Sequence, residues 1–287
     1  MSEMFFCHIL MYNDILRKER EFNCKDNQIT KIENLPNNIQ KFDCRLNQIT
    51  KIENLPGTLQ EFNCYDNQIT IIENLPQTLQ TFHCWKNLIT KIENLPQTLQ
   101  TFDCRLNQIN KIENIPDNLQ VFNCRSNQIT KIENLPQTLQ TFHCISNDIT
   151  KIENLPSNLQ GFYCGGNKIN KIENLPSNLQ EFYCDENIIN KIENLPNDLR
   201  KFSFGGNPIK FVDNIPIEWF SKRRFKLQWY NIVKHLQRRI KLRFKQRMSA
   251  SRIIQTGCHN WLWKPICKDG SIGINCRLGM EKNNIKY

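Results

Sequence analysis

A period of 20 residues, unbroken by insertion or deletion, governs most of this chain. Phe recurs from Phe22 to Phe202, Asn from Asn27 to Asn207, Ile from Ile29 to Ile209 and Pro from Pro36 to Pro216. Ten units result, the first starting near Glu19 and the last ending near Glu218; Leu79–Thr98, LQTFHCWKNLITKIENLPQT, is typical. A unit this short cannot bury an apolar face by itself, so it must stack on its neighbours in a linear array. Sparse Gly and the regular apolar positions exclude collagen, coiled coil and disorder. The length of 287 residues would otherwise suggest two domains. No apolar run approaches the roughly 18 residues of a membrane-spanning helix. Glu3 stands where a secretory leader would be basic, and no small-residue cleavage site follows, so no leader is expected.

Within a unit the pattern is L-x-x-F-x-C-x-x-N-x-I-x-x-I-E-N-L-P-x-x. Around Phe and Cys, apolar and variable residues alternate, as on a strand with one face buried. One strand per unit would stack into a parallel sheet at about 4.8 Å per strand. Phe, Cys, the two Ile and Leu would then face neighbouring units and form one continuous core. The recurring Asn carries donors and acceptors that can satisfy turn backbone groups buried between units. Asn27, Asn47, Asn67, Asn87, Asn107, Asn127, Asn147, Asn167, Asn187 and Asn207 would form a structural ladder. The return segment T-K-I-E-N-L-P is too short for a helix and closes on Pro, so extended or single-turn 3₁₀ backbone is expected. Its Lys and Glu residues read as a solvated rim or as an acidic docking ridge.

This pattern resembles the leucine-rich repeat, L-x-x-L-x-L-x-x-N-x-L, with Phe and Cys replacing two leucines. The resemblance covers 200 of 287 residues. It implies an α/β repeat class, mostly β: a right-handed horseshoe solenoid with one parallel sheet on the concave face and an extended or 3₁₀ convex side. The 20-residue unit and its L-P ending look like the short repeats of secreted bacterial effectors. The Asn-, Ile- and Lys-heavy, nearly identical units look more like uncharacterised leucine-rich repeat proteins of giant DNA viruses of amoebae, a kinship that implies no activity. Effectors of the ligase type carry a large catalytic domain after the repeats. The 69 residues that follow these repeats are too few for one, and no ligase residue is carried over.

Comparing the units shows where the chain varies. Three outward columns change freely while the core positions do not, which suits a diversified recognition surface or an unselected one. One column holds Tyr65, Trp85, Arg105 and Arg125 on successive strands, with His83 and Asp103 beside them. Exposed aromatics next to Arg make binding hot spots; the alternative is a self-satisfied cation–π stack of Trp85 with Arg105. Tyr163 and Tyr183 are neighbours, and Gly161, Gly165 and Gly166 around them should leave both rings exposed.

Nine of the 13 cysteines occupy one core column, Cys24 through Cys184, and read as reduced packing residues rather than a metal stack or disulfides. Reduced thiols point to cytoplasm or nucleus, the host's cytoplasm if the chain is viral. Cys258, Cys267 and Cys276 lack the close pairing of zinc ligands, so no metal is expected. The sequence contains no phosphate-cradling Gly loop, nucleophile elbow or paired-carboxylate site, and His83 and His143 would lie roughly 14 Å apart. No enzyme and no cofactor is therefore expected.

The formal net charge of +10 is unevenly placed: residues 219–287 hold 17 Lys and Arg against Asp269 and Glu281. Residues 219–248 read as a basic amphipathic helix that caps the array, packing on Phe202, Phe204, Phe211 and Val212. Its Arg223, Arg224, Arg238, Arg239, Arg243 and Arg247 could also meet nucleic acid or an anionic membrane. Residues 1–18 would cap the other end, 19–218 form the repeats, and 249–287 form a tail of uncertain order. The leading expectation is a monomeric, non-enzymatic scaffold binding a protein partner through its concave sheet. The alternative is a nucleic-acid- or membrane-associated protein anchored by the basic helix.

Overall fold

The computed structural model describes residues 20–33, 35–92, 94–212 and 215–216. Each unit contributes one three-residue strand: Glu21–Asn23, Lys41–Asp43, Glu61–Asn63, Thr81–His83, Thr101–Asp103, Val121–Asn123, Thr141–His143, Gly161–Tyr163, Glu181–Tyr183 and Lys201–Ser203. These ten strands, here called rungs 1 to 10, form one parallel sheet in chain order. The register advances by one whole unit at every step, Phe22 opposite Phe42 and onward to Phe182 opposite Phe202. The chain is thus a parallel β-solenoid with the architecture of leucine-rich repeats.

The core follows from the alternation. In rung 4, Leu79, Phe82, Cys84 and Ile89 are fully buried, and every other central rung repeats the set. The Phe rings form a column with centroids 5.5 Å apart from Phe42 to Phe62 and 5.6 Å from Phe102 to Phe122. Burying one such side chain contributes about 1.5–3 kcal/mol, and a rung gains it only when its neighbours are in place. The column cysteines are free, buried thiols, and burial pushes the thiols of Cys44 to Cys184 up.

The return side is extended, and no 3₁₀ turn occurs among the described residues. It also pairs: Lys51–Ile52, Ile71–Ile72, Lys91–Ile92 and Lys111–Ile112 form a second parallel ladder of four strands. Each unit then turns through Pro, with Leu59 N–H donating to Pro56 O (3.1 Å) and its counterparts doing the same. The Lys and Glu of this side pair locally within their own unit, Lys131 with Glu133 (2.5 Å) and Lys191 with Glu193 (2.6 Å), and both members are solvated. Two positions per unit enter the left-handed backbone region. One is the Asn before Leu-Pro, from Asn54 (φ 53°) to Asn194 (φ 56°). Asn tolerates this region better than most residues, which accounts for its recurrence there. The other lies just after the strand and is occupied by Leu46, Lys86, Leu106 and Glu186 as well as Gly166 and Gly206.

The recurring Asn side chains bond between rungs. Asn107 Nδ2 donates to Cys84 O and Cys104 O, both at 3.0 Å, and its Oδ1 accepts from Ile89 N–H at 3.0 Å. Each amide therefore ties its own rung to the preceding one. Asn47 to Asn187 are buried, while Asn27 at the first rung is exposed. The expected N-terminal cap, the basic helix with its arginines, the tail, and Cys7, Cys258, Cys267 and Cys276 lie outside the described residues.

Candidate functional site

Because side chains alternate along each strand, the residues on either side of Phe and just after Cys share the outward face of the sheet. Parallel in-register pairing then sets equivalent residues of successive rungs side by side. Rungs 2 to 5 use this spacing to build a four-member stack. Arg45 Cζ lies 5.5 Å from the Tyr65 ring, Tyr65 and Trp85 stack at 3.9 Å and 13°, and Arg105 Cζ lies 4.7 Å from the Trp85 ring. The cation–π contact of Trp85 with Arg105 is therefore present, and it is half of a longer column. Arg45, one rung before Tyr65 in the same column, extends the stack beyond the residues singled out from the sequence.

Both terminal arginines of the stack form ion pairs with the Asp two residues earlier, with Nε not hydrogen-bonded in Arg45. Arg45 Nε lies 3.3 Å from Asp43 Oδ2, and Arg105 Nε 3.5 Å from Asp103 Oδ2. The other oxygen of each Asp accepts the Arg backbone N–H at 3.2 Å. Asp103 is half-buried, and burial raises its pKa against the pull of Arg105 and His83. His83, next to Asp103 on the adjacent strand, is held below its usual pKa by burial, which outweighs the Asp103 charge.

A second stack crosses rungs 7 to 9: His143 on Tyr163 at 4.0 Å, and Tyr163 on Tyr183 at 5.2 Å. Here the sequence expectation is corrected. The glycines do not leave the rings exposed; both are half-buried. The Tyr163 ring lies over Gly161, where an added Cβ would sit 3.0 Å from Tyr163 Cε2. The missing side chain makes a seat for the ring rather than a clearing around it. Tyr163 Oη donates to Glu181 Oε2 at 2.6 Å, and Lys201 Nζ pairs with Glu181 at 2.8 Å. Lys201 first and Tyr163 second hold the Glu181 carboxyl below its usual range. Burial, then the bond to Glu181, pushes the Tyr163 phenol up. His143 joins the two tyrosines through its ring contact with Tyr163, which its place in the sequence does not reveal. Burial and the charges of Arg105 and Arg125 lower its pKa.

The face is thus organised as two aromatic stacks, one at rungs 2–5 and one at rungs 7–9, with Arg125 of rung 6 between them. Arg125 is exposed. Among the described residues, no three His, Cys, Asp or Glu side chains are grouped to hold a metal ion.

No protein-family model matches the chain, and no curated protein matches it. Solved structures do. YopM from Yersinia enterocolitica is 22% identical with a TM-score of 0.56, over 66% of this chain and 47% of that one. The functional domain of InlJ from Listeria monocytogenes, which includes a cysteine ladder, is 24% identical with a TM-score of 0.59, over 69% and 52%. The octameric complex of Latrophilin 3, Unc5D and FLRT2, the last present as its leucine-rich repeats, is matched at 20% identity and a TM-score of 0.53, over 68% and 69%. The chain spans about half the length of the first two. At these identities the likeness is one of fold.

Proposed function

We propose that the chain is a non-enzymatic, monomeric scaffold that binds a protein partner through the outward face of its ten-stranded sheet. One observation carries the reading. On a frame whose core is repeated rung after rung, the ring-bearing residues of the face, His83 excepted, gather into two stacks, Tyr65–Trp85 and His143–Tyr163–Tyr183. Stacked rings offer their outer edges already held in place, so few rotors are left to freeze on binding, the economy that binding hot spots exploit. Tyr65, His83, Trp85, Asp103, Arg105, Arg125, Tyr163 and Tyr183 are the contact residues of this reading. The FLRT2 leucine-rich repeats in their complex with two other proteins lend it support by analogy of fold. The buried thiol column supports a reducing compartment, cytoplasm or nucleus. Kinship with repeat proteins of giant viruses rests on composition and unit identity alone.

The test compares proteins captured by the immobilised full chain with those captured by Tyr65→Ala/Trp85→Ala and Tyr163→Ala/Tyr183→Ala variants of unchanged unfolding midpoint. A partner lost from either variant supports the reading. Capture indifferent to both variants overturns it.

A second reading rests on the charge of residues 219–287, with 17 Lys and Arg against two acidic residues. It has this segment anchor the protein on nucleic acid or an anionic membrane. A steep fall in affinity for DNA, RNA or anionic vesicles with rising salt supports it. Absence of binding at low salt removes it.

A further inference from the structure

The charges of the outward face do not balance at its centre. Every carboxylate in its three columns already has a donor. Glu21 and Glu61 share Lys41, at 3.3 Å each. Asp43 and Asp103 hold Arg45 and Arg105, and Glu181 holds Lys201. Asp185 accepts from Ser203 Oγ and, at 2.8 Å, from Gly205 N–H. The guanidinium of Arg125, by contrast, meets no acidic side chain among the described residues; the bonds Arg125 makes there are through its backbone, with N–H donating to Asn123 Oδ1 at 3.2 Å and the carbonyl accepting from Leu106 N–H at 2.9 Å and Asn127 Nδ2 at 3.3 Å.

Three groups converge there from successive rungs. Arg105 lies over the Trp85 indole and forms an ion pair with Asp103 through Nε, and its terminal amino groups make no hydrogen bond among the described residues. Arg125 follows one rung later. His143 follows next, directly opposite Asn123 in the register and held flat against Tyr163. Both guanidinium charges bear on the His143 ring. Between rungs 4 and 8 the face columns hold two guanidinium groups and a single carboxylate, Asp103. Apolar surface borders this cationic centre: Val121 on the same strand, 36% exposed, and Ile145 on the next rung.

We propose that rungs 5 to 7 take an acidic stretch of the partner polypeptide, its carboxylates received by Arg105, Arg125 and His143 and its apolar side chains by Val121, Ile145 and the flanking stacks. This inference rests on the scaffold reading and names the chemistry of the partner. An uncompensated guanidinium flanked by apolar surface favours an anion that brings its own apolar cover, since a fully hydrated anion gains little there. Arg supplies parallel donors matched to a carboxylate, and a pre-positioned Arg105 loses little freedom on pairing.

A defined probe separates this site from the basic segment. Binding of a fluorescein-labelled Glu–Tyr copolymer to the full chain is measured by anisotropy, with poly-Glu and a Lys–Tyr copolymer as comparisons. Arg125→Gln should weaken Glu–Tyr binding about tenfold, and Arg105→Gln/Arg125→Gln further, with unfolding midpoints unchanged. Arg238→Gln/Arg239→Gln/Arg243→Gln should change it less than about threefold at 0.15 M salt, because the proposal assigns the carboxylate contacts to Arg105, Arg125 and His143. Arg125→Glu should reverse the preference toward the Lys–Tyr copolymer. The inference is overturned if the copolymer fails to bind, if only the Arg238/239/243 variant loses it, or if poly-Glu binds as well as Glu–Tyr. Should the copolymer fail while Tyr65→Ala/Trp85→Ala still loses a captured partner, the scaffold reading stands and the acidic partner does not.

Discussion

Replacing Asn107 by Ala tests what joins one rung to the next. Four hydrogen bonds vanish: from Nδ2 to Cys84 O, Cys104 O and Arg105 O, and from Ile89 N–H to Oδ1. They do not weigh equally. Cys84 O also accepts from Asn87, and Cys104 O from Asn127, so both carbonyls keep a partner. Ile89 N–H has no such second partner in the ladder. Orphaning one buried donor costs about 1–3 kcal/mol, and each lost but replaceable bond about 0.5–1.5 kcal/mol. The sum is about 3 kcal/mol, a large share of an ordinary domain's 5–15 kcal/mol. Asn27→Ala should cost under about 1 kcal/mol, because that amide is exposed and, among the described residues, its Nδ2 donates to Lys25 O alone. Asn107→Asp distinguishes bonding from volume. It keeps an acceptor for Ile89 N–H but sets an oxygen against Cys84 O and Cys104 O, so the folded state must protonate it. Its folded pKa then exceeds the unfolded value, and the variant gains stability as pH falls from 7 toward 5. Urea unfolding followed by far-UV circular dichroism at both pH values reads all three variants. A loss below about 1 kcal/mol for Asn107→Ala, or an Asp variant as stable at pH 7 as the parent, would refute the ladder's role.

Leu106 sits at φ 54° with its side chain 48% exposed, so Leu106→Gly should raise the unfolding midpoint by relieving about 1 kcal/mol of left-handed strain, and Asn114→Ala at φ 51° should lower it by a similar amount. His83 and His143 both have folded pKa values below the ordinary one, so the stability they permit at neutral pH is lost as pH falls below about 6.5 and through their folded pKa values. Imidazole NMR titrations should show both late protonations, and His143→Gln should flatten the acid limb of the stability curve. The thiols of Cys44 to Cys184 are buried and hard to ionise, so iodoacetamide should modify them only in denaturant, as read by peptide mass spectrometry. Modification of Cys104 in the native state would contradict the packing of rung 5.

The candidate site was legible in part, and the reason lies in its geometry. Tyr65, Trp85 and Arg105 share a column because parallel in-register pairing repeats every 20 residues, so spacing alone placed them together. That Arg45 extends the stack also follows from spacing, once the contacts of 5.5 Å from Arg45 to Tyr65 and 3.9 Å from Tyr65 to Trp85 show that the rings turn their faces along the array rather than toward solvent. The seat of Tyr163 on Gly161 could not be read that way. It depends on the rotamer the ring adopts when a neighbour two residues back has no Cβ, and on His143 from the rung before.

What the amino-acid sequence determined by itself was the array, the strand in each unit and the side on which each residue falls. A two-residue alternation inside an unvarying 20-residue repeat admits one register. Tertiary structure alone decided which polar groups meet: the Ile N–H of the preceding rung on each ladder amide, the turn backbone that the second recurring Asn accommodates, and the guanidinium left without a carboxylate at the centre of the face. The ladder pairings join residues 18 and 23 positions apart, and such groups come within bonding distance only after the coil has closed.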